Sequence, residues 1–316
     1  PRRACRHRRA RHRARRRRHG ALAGAAMIEV GLAVGASVGW GASEFVAGVA
    51  ARKWPVIVVL AGSQLASLLL VGGFVLASGT LATPGDAVWL ALAAGVFEVA
   101  GFAALYRALA SGPMGPVAPV AALGGLVPLS VSLAEGGSLA TTSAVGIVLG
   151  LAGIVLVSWD EDDQPRALTL PLVLAGLASL CFGMFFLLLG RASHGGGALE
   201  AVAYGRVAAV AVTAPLLLVA LHRARARARE RSGRRPLLSP ADLATIVAVG
   251  VLDVGANVLY ATSTSRSTEV GVQIVASACP VATVLLARIV LKERLSVIQG
   301  VGVWLTICAV LLIGGG

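Results

Sequence analysis

An all-α membrane protein with ten transmembrane helices in two inverted five-helix repeats is the fold class predicted by three features of the amino-acid sequence. Hydrophobic residues make up 57% of the 316 and charged residues only 14%, with a mean hydropathy of +0.82; a soluble domain carries about 25% charged residues. Ten apolar segments of spanning length follow one another along the chain. The first five resemble the second five.

A bilayer core about 30 Å thick takes roughly 20 apolar residues per helix. Segments of that kind run over 28–50, 55–78, 86–109, 115–134, 140–158, 168–190, 198–221, 240–262, 269–290 and 296–314. The breaks KWP, ATPGD, SGPMGP, EGGS, DEDDQP, ASHGGG, an Arg-rich run, STSRST and KERLS supply Gly, Pro and charge between them. Residues 1–26, ahead of Met27, form an Arg-rich head with eleven Arg in its first twenty positions. With 26 Arg against two Lys in the chain, the coding DNA reads as GC-rich, and the head is expected to be disordered or not translated. The alternative is a polybasic arm on an anionic membrane surface. The apolar stretch that follows, about 23 residues without a convincing cleavage site, suits a span better than a secretory signal.

The halves align. LAVGASVGWG (32–41) falls on LAGLASLCFG (174–183) at an offset of 142, and SLATTSAVGIVL (138–149) on RLSVIQGVGVWL (294–305) at 156. The increase of 14 is close to the length of a basic loop at 222–236, which reads as an insertion between spans seven and eight. The expected organisation is a first repeat over 27–158, an acidic linker at 159–167 and a second repeat over 168–316. An odd number of spans per repeat makes the second copy enter the membrane from the opposite side, the inverted topology in which secondary transporters place a binding site near the midplane. Gly31, Gly35 and Gly39 on span one, and Gly146 with Gly150 on span five, offer G-x-x-x-G faces for tight packing.

A net charge of +13 does not make this a specific nucleic-acid binder. Of the 28 Lys plus Arg, eleven lie in residues 1–20 and seven in 223–235, leaving ten for a body that holds 14 of the 15 acids. Both runs lack interleaved aromatic residues and would bind phosphate without sequence preference. Cys5, Cys181, Cys279 and Cys308 lie far apart, with no zinc or disulfide spacing. No metal or cofactor is expected.

SGPMGPVAPVAALGGLVP, its counterpart STEVGVQIVASACPV and the tail LKERLSVIQGVGVWLTICAVLLIG resemble the signature stretches of EamA-like members of the drug/metabolite transporter superfamily. WGASEFVAGVAARK is similar to the tryptophan-glycine start of many bacterial members. The resemblance covers residues 27–316. One departure is EGGSLATTS, where the family usually carries another Gly-Glu-Arg-type loop; it removes weight from Glu135. The resemblance implies export or exchange of small metabolites through a central cavity lined by both halves.

Acids stand where hydrocarbon is expected. Glu98 in GVFEVAGFAALY and Asp253 in GVLDVGANVLY are central in spans three and eight, and each acid at a helix centre costs roughly 2.5–3.5 kcal/mol. They therefore face each other, a partner or water. A proton or cation site is the functional reading, and a protonated helix contact the structural one. Glu44 is a third candidate, either a coupling residue or an acid reaching the interface near Arg52 and Lys53. Asn257 shares the face of Asp253, and Tyr106 and Tyr260 extend a stripe along the expected cavity. Trp40, four residues before Glu44, can stack on an organic cation or simply pack. Gln64 and Gln273 are possible lining donors, and Arg206 is the intramembrane counter-charge. Pro119, Pro128 and Pro280 break spans four and nine and can free carbonyls toward the cavity; kinks alone also explain them.

The expected function is a proton-coupled secondary active transporter that exports or exchanges a small metabolite or organic cation across the bacterial inner membrane. Its expected partners are that solute, lipid and protons, with the chain a monomer or homodimer. An intramembrane enzyme using the buried carboxyls as acid and base is the alternative, although no nucleophile motif, metal cluster or phosphate loop accompanies them. Basic residues favour the odd-numbered loops, which places those loops in the cytoplasm; the Arg-rich head and the family resemblance argue for the reverse.

Overall fold

The computed structural model describes residues 28–29, 31–79, 85–112, 114–136, 141–157, 166–231, 238–266, 276, 279–292 and 296–314. The Arg-rich head, most of the acidic linker, Gln273 and the centre of the KERLS loop lie outside them. Among the described residues the chain is helical without strands, and a helix occupies each of the ten predicted positions. The elements are α1 (Gly31–Lys53), α2 (Val56–Ser78), α3 (Gly85–Ser111), α4 (Met114–Ala121), α5 (Leu126–Ala134), α6 (Thr141–Val157), α7 (Arg166–Gly196), α8 (Ala198–Arg231), α9 (Pro240–Arg266), α10 (Pro280–Leu286) and α11 (Val297–Gly314). Six of them, α1, α2, α3, α7, α8 and α9, contain stretches long and apolar enough to cross a membrane.

Two predicted spans are broken. The fourth changes from α4 to a 3₁₀ turn over Ala122–Gly125 and then to α5. The ninth runs from α10 into a π turn over Ala287–Leu291 and ends at Lys292, whose φ of 54° is left-handed. Another difference concerns the basic segment after span seven, expected as a loop. Helix α8 continues through it to Arg231, because Ala and Arg are both strong helix formers and no Gly or Pro intervenes before Gly233.

Burial is inverted relative to a soluble protein. Leu76, Trp89 and Trp304 are exposed by 70%, 72% and 66% on the outside, while Gln64, Glu98, Arg206, Asp253 and Asn257 are buried inside. That distribution suits a lipid surround. Helix α3 packs along α7 and α8, α2 packs against α8 and α9, and α6 pairs with α11.

Missing side chains allow the central crossings. A Cβ on Gly95 of α3 would run into the carbonyl oxygen of Gly205 on α8, and a Cβ on Gly250 of α9 would do the same at Ser63 of α2. Glycine at these points lets backbones meet and orients the residues one turn away. Gly95→Ala is expected to cost about 1–3 kcal/mol of stability through overpacking, read as a lower thermal midpoint in detergent. Gly73→Ala, where a Cβ meets nothing within 4 Å, should leave the midpoint unchanged or raise it.

Candidate functional site

Glu98 follows Gly95 by one turn, and Arg206 adjoins Gly205, so the close crossing of α3 and α8 brings carboxylate and guanidinium together. Asp253 follows Gly250 by one turn, and Gln64 adjoins Ser63 across the α9–α2 crossing. All four side chains converge. Arg206 Nη1 donates to Asp253 Oδ2 at 2.9 Å and to Gln64 Oε1, while Nη2 donates to Glu98 Oε1. Asn257 Nδ2 donates to Glu98 Oε1 at 2.9 Å and to Asp253 Oδ1 at 3.2 Å. Arg206, Glu98 and Asp253 are each only 1% exposed. Glu98 Oε2, Arg206 Nε and Asn257 Oδ1 are buried with no hydrogen-bond partner among the described residues.

One face of this network meets a cavity. Glu98 lines it together with Glu44, Trp40, Phe102, Ala121, Phe182, Phe185, Phe186 and Cys279. About 20 Å³ is open to the centre of a water molecule, enough for roughly one or two waters and far too little for an organic solute. Its walls are mainly aromatic. Trp40 lies with its ring centroid 5.4 Å from Phe186 and 6.1 Å from Phe185, and Phe102 lies 5.1 Å from Phe182.

Glu44 stands on the same cavity from α1. Thr283 Oγ1 lies 2.9 Å from Glu44 Oε2, and the Cys279 thiol lies 3.4 Å from Oε1. The carboxylate is 5% exposed and held at the start of α10 by Cys279 and Thr283, so it does not reach the interface beside Arg52 and Lys53. Those two serve the surface instead: Arg52 donates to the carbonyls of Leu109 and Gly112, and Lys53 pairs with Asp242 at 2.6 Å. Glu135 is likewise exposed and paired with Arg191.

Residues 169–315 match the model of the EamA-like transporter family. The second half of the chain is thereby EamA-like. The chain is a multi-pass membrane protein whose second half matches a transporter family. The match covers the second half of the stretch over which the sequence resembles the family, so Glu44 and Glu98 lie outside it and Asp253 and Asn257 inside. A solved structure titled "Crystal structure of protein" superposes with a TM-score of 0.65 at 17% identity, over 90% of this chain and 95% of its own. At that identity the likeness is one of fold. No curated protein matches the chain.

Several predicted EamA-like site residues take places other than the cavity wall. Tyr106 and Tyr260 stand behind it: Tyr260 packs 5.5 Å from Trp40 and donates to the Phe186 carbonyl at 2.8 Å, and Tyr106 packs 5.2 Å from Phe102. Asp253 and Asn257 belong to the network without lining the cavity. Arg206, expected as a counter-charge, is the hub, and Gln64 is its partner rather than a lining donor. Pro280, which has no N–H to donate, opens α10 at its first turn, and the Cys279 carbonyl ahead of it accepts from the amides of Ala282 and Thr283 at 3.1 and 3.2 Å. The aromatic wall was missed, although Phe182, Phe185 and Phe186 in CFGMFF have the spacing of one helix face.

A buried guanidinium held by two acids makes a sharp energetic prediction. Arg206→Met alone is expected to lose about 3–5 kcal/mol by leaving the carboxyls unpaired. Adding Glu98→Gln and Asp253→Asn should recover most of it, as measured by thermal unfolding in detergent.

Proposed function

We propose that this EamA-like protein is a secondary active transporter that exports or exchanges a small metabolite or organic cation across the inner membrane, coupled to protons. One observation carries the reading: Glu98 belongs at once to a buried charge network and to the wall of a cavity. With Glu98, Asp253 and Arg206 all ionised the network has a net charge of −1. A single proton makes it neutral. Because an uncompensated charge in a membrane interior is costly, gaining and losing that proton is a step whose energy the protein can tie to a change of shape. Aromatic faces beside Glu44 and Glu98 suit a solute with an apolar body and a cationic group.

Repeat arithmetic supports the inverted architecture on which such transport depends. Gln64 and Arg206 are 142 residues apart, the offset that also relates Gly41 to Gly183. Glu98 and Asp253 are 155 apart, as are Gly95 and Gly250. The contacts cross over between halves in the same sense: Gly95 meets the residue before Arg206, and Gly250 meets the residue before Gln64. Gly41 abuts Cys279 and Ala282 at the start of α10, ahead of the π turn of the ninth span, and Gly183 abuts Gly124 and Val127 at the 3₁₀ turn of the fourth. Those breaks are natural places for helices to bend when the cavity enlarges. Intramembrane catalysis draws no support from the family, whose members are transporters.

The test is flux. Purified protein in proteoliposomes is expected to move at least one solute from a panel of amino acids, nucleosides and quaternary ammonium compounds when a pH gradient is imposed. Glu98→Gln or Asp253→Asn should abolish that gradient-driven flux with membrane insertion intact. Equal flux with the gradient collapsed would remove proton coupling from the reading.

A further inference from the structure

The two central acids are related by the repeat, yet they are not placed alike. Asp253 has both oxygens occupied, Oδ2 by Arg206 at 2.9 Å and Oδ1 by Asn257 at 3.2 Å. Each of those bonds brings an N–H, so a proton on Asp253 would oppose a donor. Glu98 accepts both Arg206 and Asn257 on Oε1 alone. Its Oε2 is buried without a partner, and Glu98, unlike Asp253, lines the cavity. An O–H can therefore sit on Glu98 Oε2 without displacing any bond.

The source of this asymmetry is a single residue. Arg206 and Gln64 stand at the same offset of 142 that relates the start of span one to span six, and their side chains meet at Arg206 Nη1. Two arginines there would satisfy both acids without any proton. Two glutamines would leave both acids without a cation, and buried carboxyls in that position are neutralised by protons. One arginine is the number that fixes one carboxylate and leaves the other to exchange.

We propose that Arg206 is the positioning residue of the proton site, committing Asp253 as its fixed counter-ion and leaving Glu98 Oε2 as the proton acceptor on the cavity. Resting on the transporter reading, the proposal divides labour between acids that the sequence treats as equivalent. The groups around Glu98 are Arg206 from α8, Asp253 and Asn257 from α9, Glu44 across the cavity from α1 and the Tyr106 phenol on its own helix.

Carbodiimide labelling tests it, because dicyclohexylcarbodiimide modifies protonated carboxyls in apolar surroundings and mass spectrometry of the peptides reports each acid separately. In the purified wild-type protein at neutral pH, Glu98 is expected to be labelled and Asp253 spared. Arg206→Gln should bring Asp253 to parity with Glu98, and Gln64→Arg with Arg206 retained should remove the Glu98 label. The relocation variant Q64R/R206Q restores one arginine and should again leave a single labelled acid of the pair. Thermal melting accompanies each variant; where Arg206→Gln does not fold, Arg206→Lys, which keeps the charge without the two-pronged contact, is expected to raise Asp253 labelling above wild type. Equal labelling of both acids in the wild type would overturn the proposal, as would a Glu98 label indifferent to Gln64→Arg. Labelling needs no solute, so absence of flux with this pattern present would reject the transporter reading and leave the charge assignment standing. Flux with equal labelling would do the opposite.

Discussion

A guanidinium and two carboxylates share the interior of a helix bundle whose outer surface is apolar. Each would cost roughly 2.5–3.5 kcal/mol at the centre of an isolated membrane helix, and the cost is offset where opposite charges touch and share hydrogen bonds. That requirement reaches far into the sequence. It needs α2, α3, α8 and α9 to converge, and they converge where Gly95 meets Gly205 and Gly250 meets Ser63. Side chains any larger at those crossings would hold the charges apart. Small residues and buried charges are therefore two parts of one device: the close crossings bring the opposite charges into contact.

The network also gives the cavity its chemical character. Most of the wall is aromatic, and in such surroundings a charge is screened far less than it would be in water. Glu98 reaches this space with one oxygen tied back to Arg206 and the other free of partners among the described residues. Glu44 reaches it with both oxygens held, by Thr283 and Cys279. Two carboxyls on one small cavity are thus differently committed: Glu44 is braced by neutral donors, Glu98 by a cation it shares with Asp253. On the proposed transporter reading, a proton or a cationic solute arriving in the cavity would meet these two groups under different constraints.

Much of the fold was legible because hydrocarbon imposes a simple rule. Gly, Pro and charge at KWP, ATPGD and SGPMGP mark the ends of α1, α2 and α3 to within a few residues. Glu98 and Asp253 stood out for the same reason, as acids in segments made for lipid. What the pattern did not reveal was which helix faces meet. Tyr106 and Tyr260 share a face with the acids but stand behind Phe102 and Trp40, since a stripe on one helix says nothing of what another helix inserts before it. The extension of α8 to Arg231 was hidden because charge was read as a helix end, when charge ends only the apolar part of a helix. Gln64 and Arg206 carried a signal that went unused: their separation of 142 equals the offset already found between spans one and six.

On the inverted-repeat reading, that separation bears on why the frame would depart from symmetry at a buried polar position. A frame with identical halves places identical groups at its centre, and identical acids would share any proton equally, with no reason for it to sit on the cavity side. Replacing one of two equivalent amides by a guanidinium breaks the tie at its source. The cation bonds both carboxylates and cancels one of their two charges, Asn257 on α9 closes the remaining oxygen of Asp253, and the one carboxylate oxygen of the pair left without a partner among the described residues is Glu98 Oε2. The cavity beside that acid leaves only about 20 Å³ for the centre of a water molecule, so an organic solute does not fit there unless the helices part. On the proposed reading, a proton held there travels with the protein's change of shape rather than ahead of it, and the 3₁₀ turn of the fourth span and the π turn of the ninth are where that change would be least opposed.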